Sequence, residues 1–195
     1  MGDPKFLRRT YDRPKHPWEQ ARIEEENKIV VKFGLKNKRE LWKAQSRLRN
    51  FRRQARELQA RLRAKEPQAE KETKWLLDSL VSLGMLEPGT VTLDDVLALT
   101  TQAILERRLQ WLTYVKGLAS SPNAARQLIV HGHGALGSHR VRAPGHLVRR
   151  AEENTISYDT FSPLVTEDHP LRVAMKEKME RQAAAPPSEP PAAAG

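Results

Sequence analysis

The sequence predicts an α+β fold, mainly helical, with a small antiparallel sheet late in the chain. Three observations predict it. From about residue 18 to residue 131 the apolar residues recur at steps of three and four, the spacing of one helix face. Pro residues near the starts of these runs and Gly residues after their ends give the asymmetry expected of helix termini. After Gly132 the period changes to short extended pieces around Gly137-Ser138.

The elements follow in chain order. Residues 1–16 are basic and Pro-punctuated with no period, and are read as an N-terminal arm that either lies extended on a ligand or is disordered. Trp18 to Phe33 is predicted helical, with Pro17 near its start and Gly34 after its end. Its Glu24, Glu25 and Glu26 are placed to offset the charge of the next helix. That helix, 38–65, carries a narrow apolar seam of Leu41, Ala44, Leu48, Phe51, Ala55, Leu58 and Leu62, only wide enough for a neighbouring helix. Trp42 lies off the seam, where it either stacks on a base or packs against Trp18 or another helix. Pro67 ends the basic helix, and "ETKWLLDSLVSLGML" forms a short apolar helix stopped at Gly84. Thr92 and Asp95 fit a capping box. "TTQAILERRLQWLTYVKG" reads as one helix with Leu105, Leu109 and Leu112 on one face. Ser121 caps the next, with Pro122 at its first position and Gly132 past its last turn. There Ala124, Ala125, Leu128 and Ile129 face inward, and Asn123, Arg126 and Gln127 outward. A Gly at the first central position of Gly137-Ser138 suits a type II′ hairpin. "HLVRR" and "NTISYD" are further strand candidates. The division expected is an arm over 1–16, a helical domain over 17–103, a second domain over 104–172, and a charged segment with a disordered Ala/Pro tail over 173–195.

The charge points to a partner. The chain has 34 Lys and Arg against 24 Asp and Glu, a net +10. Residues 36–65 hold twelve basic residues and two Glu, an excess that equals the net charge of the whole protein. Arg outnumbers Lys, 21 to 13, and the planar guanidinium suits phosphate oxygens. Arg47, Arg49, Arg52, Arg53, Arg56 and Arg63 fall off the apolar seam without the interleaved Glu of an ordinary surface helix. A polyanion resolves their repulsion, and RNA ranks first. A membrane ranks below it, because interfacial helices need a broad exposed apolar face. No apolar run reaches spanning length, and the N-terminus has no signal-peptide core, so a soluble intracellular protein is expected.

The chemistry of a catalytic or metal site is not evident. There are no cysteines, no phosphate loop, no G-x-S-x-G and no H-E-x-x-H. Four of the six histidines, His131, His133, His139 and His146, cluster, but Arg140, Arg142 and Arg149 beside them would repel a cation. Neither metal, cofactor, small-molecule substrate nor enzymatic activity is expected. The histidine segment is left as a helix-ending turn, an RNA-facing patch, or both.

The stretch "ERRLQWLTYVKGLASSPNAARQLIVHGHGALGSHRVRAPGHLV" resembles the RNA-binding domain named after the small-subunit ribosomal protein S-four. The matching positions are Arg107, Arg108 and Leu109; Gly117, Leu118 and Ala119; Ser121 and Pro122; Ala125 through Ile129; His131, Gly132 and His133; and Val141, Pro144 and Val148. Ser120, and Gly137-Ser138 in the turn, depart from the pattern. "MGDPKFLRRTYDRPKHPW", "FGLKNKRELW" and "RNFRRQARELQA" are similar to the archaeal form of that ribosomal protein and to its eukaryotic cytosolic counterpart. The resemblance implies an S-four-type RNA-binding domain and direct binding to small-subunit ribosomal RNA. It also implies nucleation of the subunit body, a contribution to translational accuracy, and protein neighbours that line the messenger entry path. The alternative is a non-ribosomal structured-RNA binder on the same scaffold; an RNA-modifying enzyme would need a catalytic domain that residues 1–100 do not suggest.

Charge and resemblance together give the RNA-contacting candidates. The capped helix and the turn before it supply Lys116, Ser121, Asn123, Arg126 and Gln127. His131, His133, His139, Arg140 and Arg142 extend that surface. Arg47, Arg49, Arg52, Arg53 and Arg56 form a second area, with Lys36, Lys38 and Arg39 at its start. Arg8 and Arg9 of the arm, and Arg107 and Arg108 of the motif, complete the set.

Overall fold

The structure is a computed structural model, and it describes residues 9–166, 169–170 and 172–174. Arg8 and the Ala/Pro tail lie outside the described residues. Among the described residues the α-helices with assigned bounds run in order: α1 Gln20–Phe33, α2 Lys38–Arg63, α3 Pro67–Ser82, α4 Leu93–Ala98, α5 Thr101–Glu106, α6 Leu109–Val115 and α7 Pro122–Val130. Three short strands follow: β1 Gly134–Leu136, β2 His139–Arg140 and β3 Ile156–Tyr158. A 3₁₀ turn, Arg150–Thr155, leads into β3. Among the described residues no helix is long and apolar enough to cross a membrane.

The α2 seam is buried as its spacing requires. Leu41, Ala44, Leu48, Ala55 and Leu58 are buried, and Phe51 and Leu62 are half-buried beside them. They pack with Phe33, Leu80, Val96, Ile104 and Leu105 from the surrounding helices. The Asn37 side chain caps α2 by accepting from the Glu40 backbone N–H at 3.3 Å. The Thr92–Asp95 capping box starts α4. A second, smaller core gathers Leu109, Leu112, Ile129, Val148 and Ile156.

The expected single helix over 101–117 is broken. Arg107 and Arg108 separate α5 from α6, and Arg108 is extended with ψ 141°. The cause is a competing partner for the backbone. Leu109 N–H donates to the His146 carbonyl at 2.8 Å, and Val148 N–H donates to the Arg107 carbonyl at 3.0 Å. A loop thus satisfies groups a continuous helix would have used. It also takes "HLVRR" out of the sheet: Leu147 makes an isolated bridge to Arg108 instead of joining a strand. The break falls between the buried residues of the two cores, Leu105 before it and Leu109 after it.

The sheet has the order β2-β1-β3, antiparallel throughout. Leu136 pairs with His139, which leaves Gly137-Ser138 as a two-residue turn. Gly137 has φ +58°, and Lys65 is the one non-glycine among the described residues with positive φ. Ser138 therefore has negative φ, which selects type II′ over type I′.

Candidate nucleic-acid interface

Burying the seam of α2 turns its cations outward. Arg39, Arg47, Arg49, Arg53, Arg56 and Arg63 are exposed, as is Lys36 before the helix. Of these arginines, Arg49 is the one with an acidic partner among the described residues, Asp12 at 2.5 Å. The backbone N–H of Asp12 also donates to Ser46 at 3.1 Å, so the end of the arm lies on α2. Arg9 sits over the Tyr11 ring at 5.8 Å. Two expected contacts are used inside the fold. Arg52 is half-buried and donates to the Leu99 carbonyl at 2.6 Å, tying α2 to the end of α4. Lys38 pairs with buried Glu26 at 3.3 Å, beside Arg22 at 2.7 Å. Burial pushes the Glu26 carboxyl up, but hydrogen bonds from Trp42, Arg22 and Lys38 outweigh it and hold the group below its ordinary value. Trp42 is thereby fixed within the fold, donating to Glu26 at 3.1 Å and facing the Tyr11 ring at 6.2 Å instead of Trp18, which is exposed.

The second area begins at α7. Ser121 Oγ accepts from the Ala124 N–H at 3.2 Å, which opens the helix as the sequence predicts. Asn123 and Gln127 are exposed on α7, and His131, His139, Arg140 and Arg142 are exposed beyond it. The His131 and His133 rings stack at 6.4 Å. His133 is half-buried, its Nδ1 2.9 Å from Ser162 Oγ. Among the described residues no group of three or more His, Asp or Glu is placed to hold a metal ion. Arg140 is anchored at 2.5 Å to Asp159, which is itself nearly buried, so hairpin and β3 are cross-linked next to the exposed histidines. Lys116 donates to the Glu153 carbonyl.

Between the two areas the outward reading of α7 needs correction. Arg126 turns to α2, donating to Glu40 Oε1 at 2.9 Å and to Gln110 Oε1 at 3.3 Å. Arg108 is 8% exposed and donates to Glu40 Oε2 at 2.5 Å. Arg107 pairs with Glu153 at 2.8 Å and donates to the Val148 carbonyl at 3.1 Å. These arginines hold the two cores together, so Arg107 and Arg108 are structural cations first. Burial pushes the Glu40 carboxyl up; the hydrogen bond from Arg126 and the charge of Arg108 outweigh it and set the group below its ordinary value. Gln110, fully buried, finishes the joint by donating to the carbonyls of Gly34 at 2.7 Å and Pro122 at 2.9 Å.

The comparisons decide the family. Residues 5–106 match the model of the ribosomal protein S4/S9 N-terminal domain. A small ribosomal subunit protein uS4 from Thermoplasma acidophilum is 48% identical over 94% of this chain and 92% of its own length. One from Methanococcus aeolicus is 50% identical over 88% of this chain and 96% of its own length. The chain belongs to the S4 ribosomal protein family. The N-terminal match of the S4 family ends at Glu106, the last residue of α5 and the start of the break between the two cores.

Two residues of this surface are absent from the sequence-based candidates. Lys43 is exposed on the same α2 face as Arg47, and Glu40 organises both modules. The spacing of Glu40, Lys43 and Arg47 at i, i+3 and i+7 is the signal that could have found them. What Glu40 would meet from 68 and 86 positions away is not contained in that spacing.

Proposed function

We propose that this S4-family protein is a non-enzymatic structural constituent of the small ribosomal subunit that binds its ribosomal RNA directly. The carrying observation is the α2 face: Arg39, Arg47, Arg53, Arg56 and Arg63 are exposed on one helix and make no ion pair among the described residues. Cations held this way lose little on meeting phosphate, and arginine forks position a folded RNA by its backbone and shape. Lys36, Arg49, Lys116, Asn123, Gln127, His131, His139, Arg140 and Arg142 extend the contact to α7 and the hairpin. Ser121, Arg126 and His133 act at its edge, from half-buried positions. We divide the chain at Arg107-Arg108, four residues after the boundary expected from sequence; the two separate cores support this. Holding two RNA faces through one joint suits a protein that nucleates folding of the subunit body at a multi-helix RNA junction. It also suits a role in decoding accuracy beside neighbours of the messenger entry path, in the cytoplasm.

Sedimentation of a tagged copy through a sucrose gradient tests the assignment. Co-migration with the small subunit is expected. Steady absence from it, with RNA binding retained, would transfer the protein to non-ribosomal RNA.

A further inference from the structure

The joint also forms a cleft of about 340 Å³. Glu40, Lys43 and Arg47 line it from α2, Arg108 and Arg126 from the other module, and the Pro144-Gly145 turn closes one side. Four cations therefore surround one carboxylate. Both Glu40 oxygens are already taken, by Arg108 and Arg126. Lys43 and Arg47 make no ion pair among the described residues. Arg108 is nearly buried, and its Nε has no hydrogen-bond partner, so its charge is incompletely matched. Charges of one sign in a concave site with low-dielectric walls reinforce one another and draw in an anion.

We propose that this cleft is a phosphate site, seating one RNA backbone phosphate where the strand passes from the α2 face to the α7 face. The proposal rests on the RNA-binding reading above and adds to it a specific cradle, a new ligand residue in Lys43, and a positioning role for Glu40. Several features select phosphate. The excess of positive charge over the lone carboxylate calls for an anion, and guanidinium forks match phosphate oxygens. The volume is of the size that holds a small organic group, so a phosphate can enter still attached to its sugar. Gly145 keeps the wall open: a Cβ there would lie 3.3 Å from Arg108 Nη2. Glu40 holds Arg108 and Arg126 in place from the α2 side, so the seated phosphate touches both modules and fastens the joint.

The Lys43→Ala/Arg47→Ala double variant of the full chain tests this, since neither residue bonds to Glu40. Inorganic pyrophosphate is first titrated into the free protein by NMR, following the Gly145 amide and the Arg126 Nε–Hε signal. Both should shift saturably in the wild type and stay still in the variant. Binding to a small-subunit junction transcript is then measured against salt. The slope of log K on log salt should be shallower in the variant by roughly 0.7–0.9 for one lost phosphate contact. Pyrophosphate shifts with an unchanged RNA slope would overturn the RNA source and leave a site for a free phosphate ligand. No shifts and no slope change would overturn the cleft altogether, while RNA binding by the wild type kept the broader reading intact. A wild type that fails to bind the transcript would sink both.

Discussion

Glu40 and Arg126 stand 86 positions apart in the chain, and their side chains meet at 2.9 Å. Arg108 approaches the other oxygen of the same carboxylate at 2.5 Å. One acidic side chain thus holds two cations of the second module against the first. The groups are largely withdrawn from water, with side-chain exposures of 18% for Glu40, 9% for Arg108 and 21% for Arg126. Glu40→Gln keeps the shape and removes the charge, leaving two guanidiniums without their counter-ion. The expected loss is about 2–3 kcal/mol, below the range for a fully buried pair because some water reaches these groups. Urea unfolding of the two proteins at pH 7 measures it.

The same carboxylate makes stability depend on pH. Its folded value lies below the ordinary value of 4.5, so the unfolded chain takes up the proton first as pH falls. The stabilisation is complete above the ordinary value and is lost as pH drops through the folded value. The difference between wild type and Glu40→Gln should therefore be constant from pH 7 to about 5 and narrow below pH 4.5. A difference that stays constant down to pH 3 would show that the charge of Glu40 is not what holds the joint.

Gly34 faces that joint from the end of α1. Its φ is +60°, and an added Cβ would lie 2.7 Å from Asn123 Oδ1 and 2.8 Å from Pro122 Cβ. Gly34→Ala combines left-handed strain with a collision against the start of α7 and should cost about 2–3 kcal/mol. Gly89 has open space around it and no positive φ. Gly89→Ala should stay within about 0.5 kcal/mol of wild type. Equal thermal midpoints for the two variants would contradict the close approach of α1 and α7.

These cases mark what the sequence carried. The seam of α2, the Ser121 cap and the Gly137-Ser138 turn depend on residues within one or two helical turns, and local spacing located all three. The break at Arg107-Arg108 did not show, because the carbonyls and amides that replace the helix bonds come from a loop some forty residues on. The arginines divide the same way. A helical period says which side of α2 a residue occupies, and Arg53 and Arg56 are exposed as expected. It does not say that Arg52 reaches the Leu99 carbonyl, or that Arg126 turns inward to Glu40. Those roles depend on which distant acceptor the fold brings near.

The last prediction separates arginines that face a partner from those that hold the fold. Arg53 and Arg56 are exposed and make no ion pair among the described residues, whereas Arg108 is 8% exposed and bound to Glu40. Arg53→Ala/Arg56→Ala should leave the unfolding midpoint in place, since exposed positions away from packing contribute within about 0.5 kcal/mol. It should weaken binding to the ribosomal RNA transcript and reduce the salt slope by roughly 0.7–0.9 per arginine. Arg108→Ala acts first on the fold: it leaves Glu40 to Arg126 alone, opens a void beside Leu147 and lowers stability by about 2–3 kcal/mol. Its RNA affinity must then be read at a temperature where both proteins are folded. Wild-type RNA affinity and slope in the Arg53/Arg56 variant would remove this part of the α2 face from the interface and leave the start of α2, α7 and the hairpin to carry it.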